Sequence, residues 1–176
     1  RYFDVFVEYA KASPEDMLIQ ITVHNRGPEA ASLQLLATLW FRNDWSWGDG
    51  VARPSLRQLA QDKTGAIAAL SHRELGERFF CAEGASALLF TENETNTERL
   101  FATTNPSPYV KDGINDFFVH DKKGAVNPAK TGTKVSAHYP LTLGAGESIT
   151  IRLRLSDQPA RKSQTATADY FGKAFE

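Results

Sequence analysis

Apolar and polar side chains alternate along several stretches of the chain, and that alternation predicts strands before any other property is weighed. From Phe3 to Tyr9, Phe3, Val5, Val7 and Tyr9 share one face while Asp4 and Glu8 take the other, the period of two expected of a half-buried strand. Phe6, on the polar face, predicts partial cover there too. After the turn-like KASPED the pattern resumes, with Ile19, Ile21 and Val23 alternating with Gln20, Thr22 and His24. Residues 2–9 and 17–25 are therefore expected to form a hairpin. NRGPEAAS breaks the run. The next strand, 33–42, carries Leu33, Leu35, Ala37, Leu39 and Phe41 on one face, yet Leu36 and Trp40 make its second face apolar as well. Such a strand is expected to be covered on both sides, with Trp40 in the core or in an interface.

Residues Asn43 to Leu59 lack periodicity and read as a long loop, after which GAIAAL, ERFFCAE and ALLFTE are short strand candidates. ENETNTE reads as a solvated acidic turn, and Glu98 to Thr103 as one more short strand. Asn105 to Ala129 is a second irregular segment, with at most one helical turn around Asp112 to Val119. Loops of this length in a compact domain are often functional. Near the end, Val135, Ala137, Tyr139, Leu141 and Leu143 alternate with polar residues, GAGE turns the chain, and Ile149, Ile151, Leu153 and Leu155 alternate with Thr150, Arg152 and Arg154. The pattern predicts a second hairpin. Thr165 to Phe175 is expected to be helical and stops without a cap. Strands in succession without amphipathic helices between them predict an all-β domain, most simply an antiparallel two-sheet sandwich over 1–156, followed by a linker and helix start over 157–176. A closed barrel is the alternative.

Composition narrows the function classes. With 41% hydrophobic, 11% aromatic and 23% charged residues, the chain is globular in character. Twenty basic against 21 acidic side chains leave a net charge of -1, so no global field draws in nucleic acid or an anionic membrane. No run reaches the roughly 18–20 apolar residues of a membrane span, and no signal peptide is visible. Cys81 is the only cysteine, which excludes an internal disulfide framework and fits a reducing compartment; its apolar flank RFFCAEG predicts a buried thiol. A chain that starts at Arg1 and Tyr2 already in strand pattern reads as cut from a longer protein.

Chemistry is harder to place. Glycosidic hydrolysis needs two carboxylates about 5–10 Å apart, and the candidates outside strands are Asp44 and Asp49, then Glu92, Glu94 and Glu98, then Asp112, Asp116 and Asp121. The four histidines have no zinc spacing, DWSWGDG lacks the regular acidic alternation of a calcium loop, and no GxSxG, P-loop or dinucleotide glycine pattern occurs. No metal, no cofactor and no catalytic residue is expected here. WFRNDWSW does combine aromatic rings, which stack on sugars or dock domains, with the planar polar groups of Arg42 and Asn43. Trp45 and Trp47, two apart in extended backbone, should point the same way, toward a neighbouring domain, a sugar or the loop itself. The second loop adds Tyr109, Lys111, Asp112, Asn115 and Asp116 as contacts for a ligand or a partner domain.

The segments RYFDVFVEYAKASPEDMLIQITVHNRGPEAASLQLLATLWFRNDWSWG, YVKDGINDFF and AVNPAKTGTKVSAHYPLTLGAGESITIRLRLSD resemble large bacterial proteins identified as glucosidases, similar to glycoside hydrolase family 63 and mannosyl-oligosaccharide glucosidases. The resemblance implies a β-sandwich preceding an (α/α)6 barrel that holds the acid and base carboxylates, in a bacterial cytoplasmic protein. This chain would then be a non-catalytic piece of the sandwich. Its expected partners are the missing catalytic domain and an oligosaccharide. A stand-alone carbohydrate-binding module and a purely structural interface domain are the competing expectations.

Overall fold

The computed structural model describes residues 2–48 and 50–158. The expected C-terminal helix and Asp49 lie outside them. Ten strands form: β1 (Phe3–Ser13), β2 (Asp16–Asn25), β3 (Ala31–Trp40), β4 (Ser55–Asp62), β5 (Gly65–His72), β6 (Gly76–Glu83), β7 (Ala87–Thr91), β8 (Thr131–Gly132), β9 (Lys134–Leu143) and β10 (Ser148–Ser156). Two short helices, α1 (Thr97–Phe101) and α2 (Gly113–Val119), separate β7 from β8. The strands make two antiparallel sheets, one of seven in the order β1-β2-β10-β6-β5-β4-β8 and one of three in the order β3-β9-β7. The fold is therefore the all-β two-sheet sandwich that the alternation predicts.

The first hairpin forms as expected, with Val5 opposite Val23 and Val7 opposite Ile21. The second does not. β9 pairs with β3 and β7 in the small sheet, whereas β10 pairs with β2 and β6 in the large one. Residues 144–147 are thus an arch between layers. Alternation sets which side chains share a face of a strand; it carries no information on which neighbour shares the ladder. What builds the arch is Asn25, 2% exposed, whose carboxamide donates to the carbonyls of Glu29, Leu143 and Gly144 and accepts from the Gly27 amide. Its backbone is tied in as well, donating to Glu147 O and accepting from Gly146 N. Gly146 has φ +73°, the left-handed region that glycine enters without strain.

The chain also crosses between sheets before β9, at Thr133. Gly132 lies so close to the strand behind it that a Cβ there would sit 2.3 Å from the Thr91 carbonyl oxygen. Between the layers Ile21, Val23, Ile151, Leu153 and Phe80 of the large sheet meet Leu88, Phe90, Val135, Ala137 and Tyr139 of the small one. Burying this apolar surface is the main favourable term in folding. On the outer face of the small sheet α2 packs over Leu89 through Ile114, with Leu36, Phe117 and Phe118 around it. That accounts for the apolar second face of β3 at Leu36.

Cover ends before Trp40, which is 57% exposed rather than in the core. It also fails at β1, an edge strand whose Val5, Val7 and Tyr9 are exposed instead of half-buried. The three-stranded sheet is too narrow to reach them. Two further expectations change. The first long loop ends at Pro54, where β4 begins, and the segment 97–101 is α1 rather than a strand. Asn96 caps α1 by accepting the Arg99 amide on its side-chain oxygen. No helix among the described residues is long and apolar enough to cross a membrane.

Candidate functional site

The two long loops meet at one end of the sandwich, and the strip Glu92–Asn96 joins them. From the first loop, Asn43 donates to the Asn93 carbonyl, and the Trp45 indole donates to Glu94 at 3.0 Å. From the second, the Tyr109 carbonyl accepts the Glu92 amide, the Lys111 amide donates to Glu94 O, and Lys111 Nζ reaches Thr95. The acidic run that reads as solvated surface is thus partly interior. Glu94 is 6% exposed, and one of its carboxylate oxygens is buried with no hydrogen-bond partner among the described residues. Arg53 Nη2 bridges Glu92 at 2.7 Å and Glu94 at 3.2 Å, while Thr133 Oγ1 donates to Glu92 and accepts the Asn93 amide. A buried carboxylate needs such partners, because removing it from water without them costs several kcal/mol or neutralises it.

The tryptophans separate. Residues 45–47 form a turn in which Asn43 Oδ1 accepts the Ser46 amide and Asp44 O accepts the Trp47 amide. Trp45 folds inward against the core; Trp47 points out and is 81% exposed. The expected common direction is lost because a turn, not an extended strand, carries them. Arg42 is exposed and pairs with no carboxylate among the described residues. Trp40 lies elsewhere, on a groove of about 240 Å3 that it lines with Met17, Leu39, Leu70, Leu75 and Leu155.

The second loop and the two helices line a larger hollow of about 800 Å3, open to solvent and walled mostly by polar side chains. Asp112 is part of its lining and accepts from Asn96 Nδ2 at 3.1 and 3.2 Å and from Arg99 Nη1 at 3.2 Å. Asn105 braces α1, donating to Asn96 Oδ1 and accepting from Thr97 Oγ1 and the Glu98 amide. Asp116 accepts from His120 at 3.0 Å and Lys122 at 3.1 Å, and these contacts, His120 first, hold its carboxyl below the usual carboxylate range. Beneath, Lys134 donates to Lys111 O, and burial lowers its pKa. Gly113 allows α2 to start against Ala125, since a Cβ would lie 2.3 Å from that carbonyl oxygen.

Of the residues singled out from sequence, Asn43, Trp45, Tyr109, Lys111 and Asp112 converge on the strip Glu92–Asn96, and Asp116 joins Asp112 in the hollow. Arg42, Trp47 and Asn115 are exposed and do not join them. Sequence reasoning missed Arg53, Asn96, Arg99 and Asn105, and it named Glu92 and Glu94 among the candidate carboxylates but read their turn as solvated surface. The density of paired amide and charged types in TENETNTER was the available signal. Among the described residues no three His, Cys, Asp or Glu side chains are grouped to hold a metal ion.

No family model matches the chain. The chain is similar to the uncharacterized protein YMR196W of Saccharomyces cerevisiae, 32% identical over 185 residues that take in 90% of this chain and 17% of the yeast protein. It therefore spans about a sixth of the length of the curated relative that it matches.

Proposed function

We propose that this chain is a non-catalytic β-sandwich domain of a larger, glucosidase-like hydrolase, where it supports the catalytic domain and forms part of the wall of its sugar cleft. The observation that carries the reading is the exposure of large aromatics on a well-packed sandwich, Trp47 at 81% on the loop end and Trp40 at 57% on a separate groove, with Leu75 at 51% beside it. Each tryptophan buries about 150–250 Å2 when covered, so leaving both open to water forgoes a large apolar gain that a neighbouring domain would recover. The resemblance of the quoted segments to family 63 glucosidases supplies the kind of neighbour. The length of the yeast relative is consistent with such a neighbour.

The test compares two proteins. A longer polypeptide that includes this domain is expected to hydrolyse an aryl α-glucoside, and residues 1–176 alone to show no turnover. Acrylamide should quench Trp40 and Trp47 efficiently in the isolated chain and poorly in the longer protein. Turnover by the isolated chain, or equal quenching in both, would overturn the proposal.

A further inference from the structure

We infer that the hollow between α1 and α2 is a binding site for a neutral polyhydroxylated ligand, a saccharide, and that the hollow rather than the tryptophan loop makes the sugar contacts. The inference rests on the reading above in placing a sugar at this end of the domain. It assigns the site from its own chemistry.

Size comes first. At about 800 Å3 the hollow falls within the roughly 300–1,000 Å3 of small-molecule sites. Charge comes second. The lining balances Arg99 and Lys122 against Glu98, Asp112 and Asp116, with His120 between them. An anion entering it would meet three carboxylates, and a cation would meet a guanidinium and an ammonium. Leaving His120 aside, three carboxylates against two cations give a formal charge of only -1, too little to select a strongly charged ligand of either sign. A neutral ligand avoids both penalties.

Hydrogen-bonding capacity decides between neutral ligands. Arg99 has five N–H donors and uses one on Asp112, and Lys122 uses one of its three on Asp116. Each carboxylate keeps acceptor positions beyond the bonds it receives. Spare donors and spare acceptors thus line the same hollow, held by groups that are already fixed by one another. A hydroxyl both donates and accepts, so vicinal hydroxyls can satisfy the two sets at once, whereas an apolar ligand would leave them unpaired at a cost. The exposed Pro108 adds apolar lining that the carbon face of a ring could meet, with the buried Val110 behind the surface. Asn105 fixes the geometry from behind, because its amide ties α1 to Asn96.

By contrast, the tryptophan loop is poorly built for a sugar. Trp45 spends its indole N–H on Glu94 and packs inward, and Trp47 projects from the turn, 81% exposed, while the polar groups nearest it in the turn, Asn43 and Asp44, are already bonded to Ser46, Asn93 and Arg73. Its shape suits an apolar neighbour.

The experiment is an amide-resolved NMR titration of the 176-residue chain with maltotriose, then with mannotriose, and with inorganic phosphate as the anionic probe. The expected result is saturable shifts confined to residues 96–124 with at least one saccharide and none with phosphate. Asp112→Asn, which keeps the shape and removes the charged acceptor, should weaken binding roughly tenfold or more, as expected for a lost hydrogen bond to a charged group. Lys122→Met on the exposed rim offers a second variant should the first perturb the spectrum globally, and it should weaken binding too. Trp47→Ala should leave the shifts unchanged. Shifts centred on Trp45 and Trp47, saturation by phosphate, or no saturable shift with either saccharide would overturn the site. Those outcomes leave the domain reading standing, because turnover by the longer polypeptide judges that separately.

Discussion

The two ends of β9 are both places where the chain crosses between sheets, and they are built from opposite materials. At the Leu143 end a neutral amide does the work. Asn25 satisfies three carbonyls and one amide, and its side chain is fully used. At the Thr133 end the crossing is held by charge, through Glu92, Arg53 and Glu94, and one oxygen of Glu94 is buried without a partner among the described residues. The first end faces nothing the two long loops supply; the second is where both loops, the exposed Trp47 and the polar hollow gather. A fully satisfied buried network helps specify a single structure, whereas a partly satisfied charged one holds a buried polar atom at a cost.

Breaking the charged end at its backbone should have the largest effect. Gly132→Ala places a methyl group 2.3 Å from a carbonyl oxygen that cannot swing away. A loss of about 3–5 kcal/mol in urea unfolding is expected; a loss below about 1 kcal/mol would show that the two strands can separate there. Next comes Asn25→Ala at the neutral end, expected to cost about 3 kcal/mol by orphaning buried carbonyls. If it cost no more than a surface substitution, the arch would be held by its glycines instead. Trp45→Phe keeps the packing and removes one indole donor, so about 1 kcal/mol is expected, with no change in the chemical shifts around Asn25. Coupling between the two sites would mean that the ends of β9 are one unit.

The smallest effect lies midway along β9. His138 is hydrogen-bonded to Gln34 and Ser86, lies against Phe118, and burial lowers its pKa from 6.5. Because the unfolded chain then takes up the proton first, the contribution of His138 is complete above 6.5 and is lost as pH falls through the folded value. Unfolding measured between about pH 5 and pH 7.5 should lose stability toward acid, and His138→Gln should flatten part of that slope. An unchanged slope would remove His138 from the account.

Much of this was legible in advance, and the misses share a cause. Alternation located β1, β2, β3, β9 and β10 because the pleat puts every second side chain on one face whatever the partner strand. The same argument failed for Val5, Val7 and Tyr9, which carry the pattern of a buried face but lie beyond the reach of the small sheet. It failed again at the arch, where two alternating strands a turn apart look like a hairpin. Asn43 and Trp45 were picked out as candidates, but their partners could not be. Nothing near Glu94 in sequence marks it as interior; what draws it in is an indole 49 residues away, together with Arg53.

The sequence by itself determined that this chain makes strands, which faces of β2, β3, β9 and β10 point inward, and that two irregular segments interrupt them, since local periodicity and backbone propensity act over a few residues. Only the tertiary structure decided that β9 and β10 belong to different sheets, that Trp45 turns inward while Trp47 faces water, and that an acidic run becomes a buried joint beside a polar hollow. Those outcomes depend on contacts between distant segments, whose energies exist only once both partners are held in place.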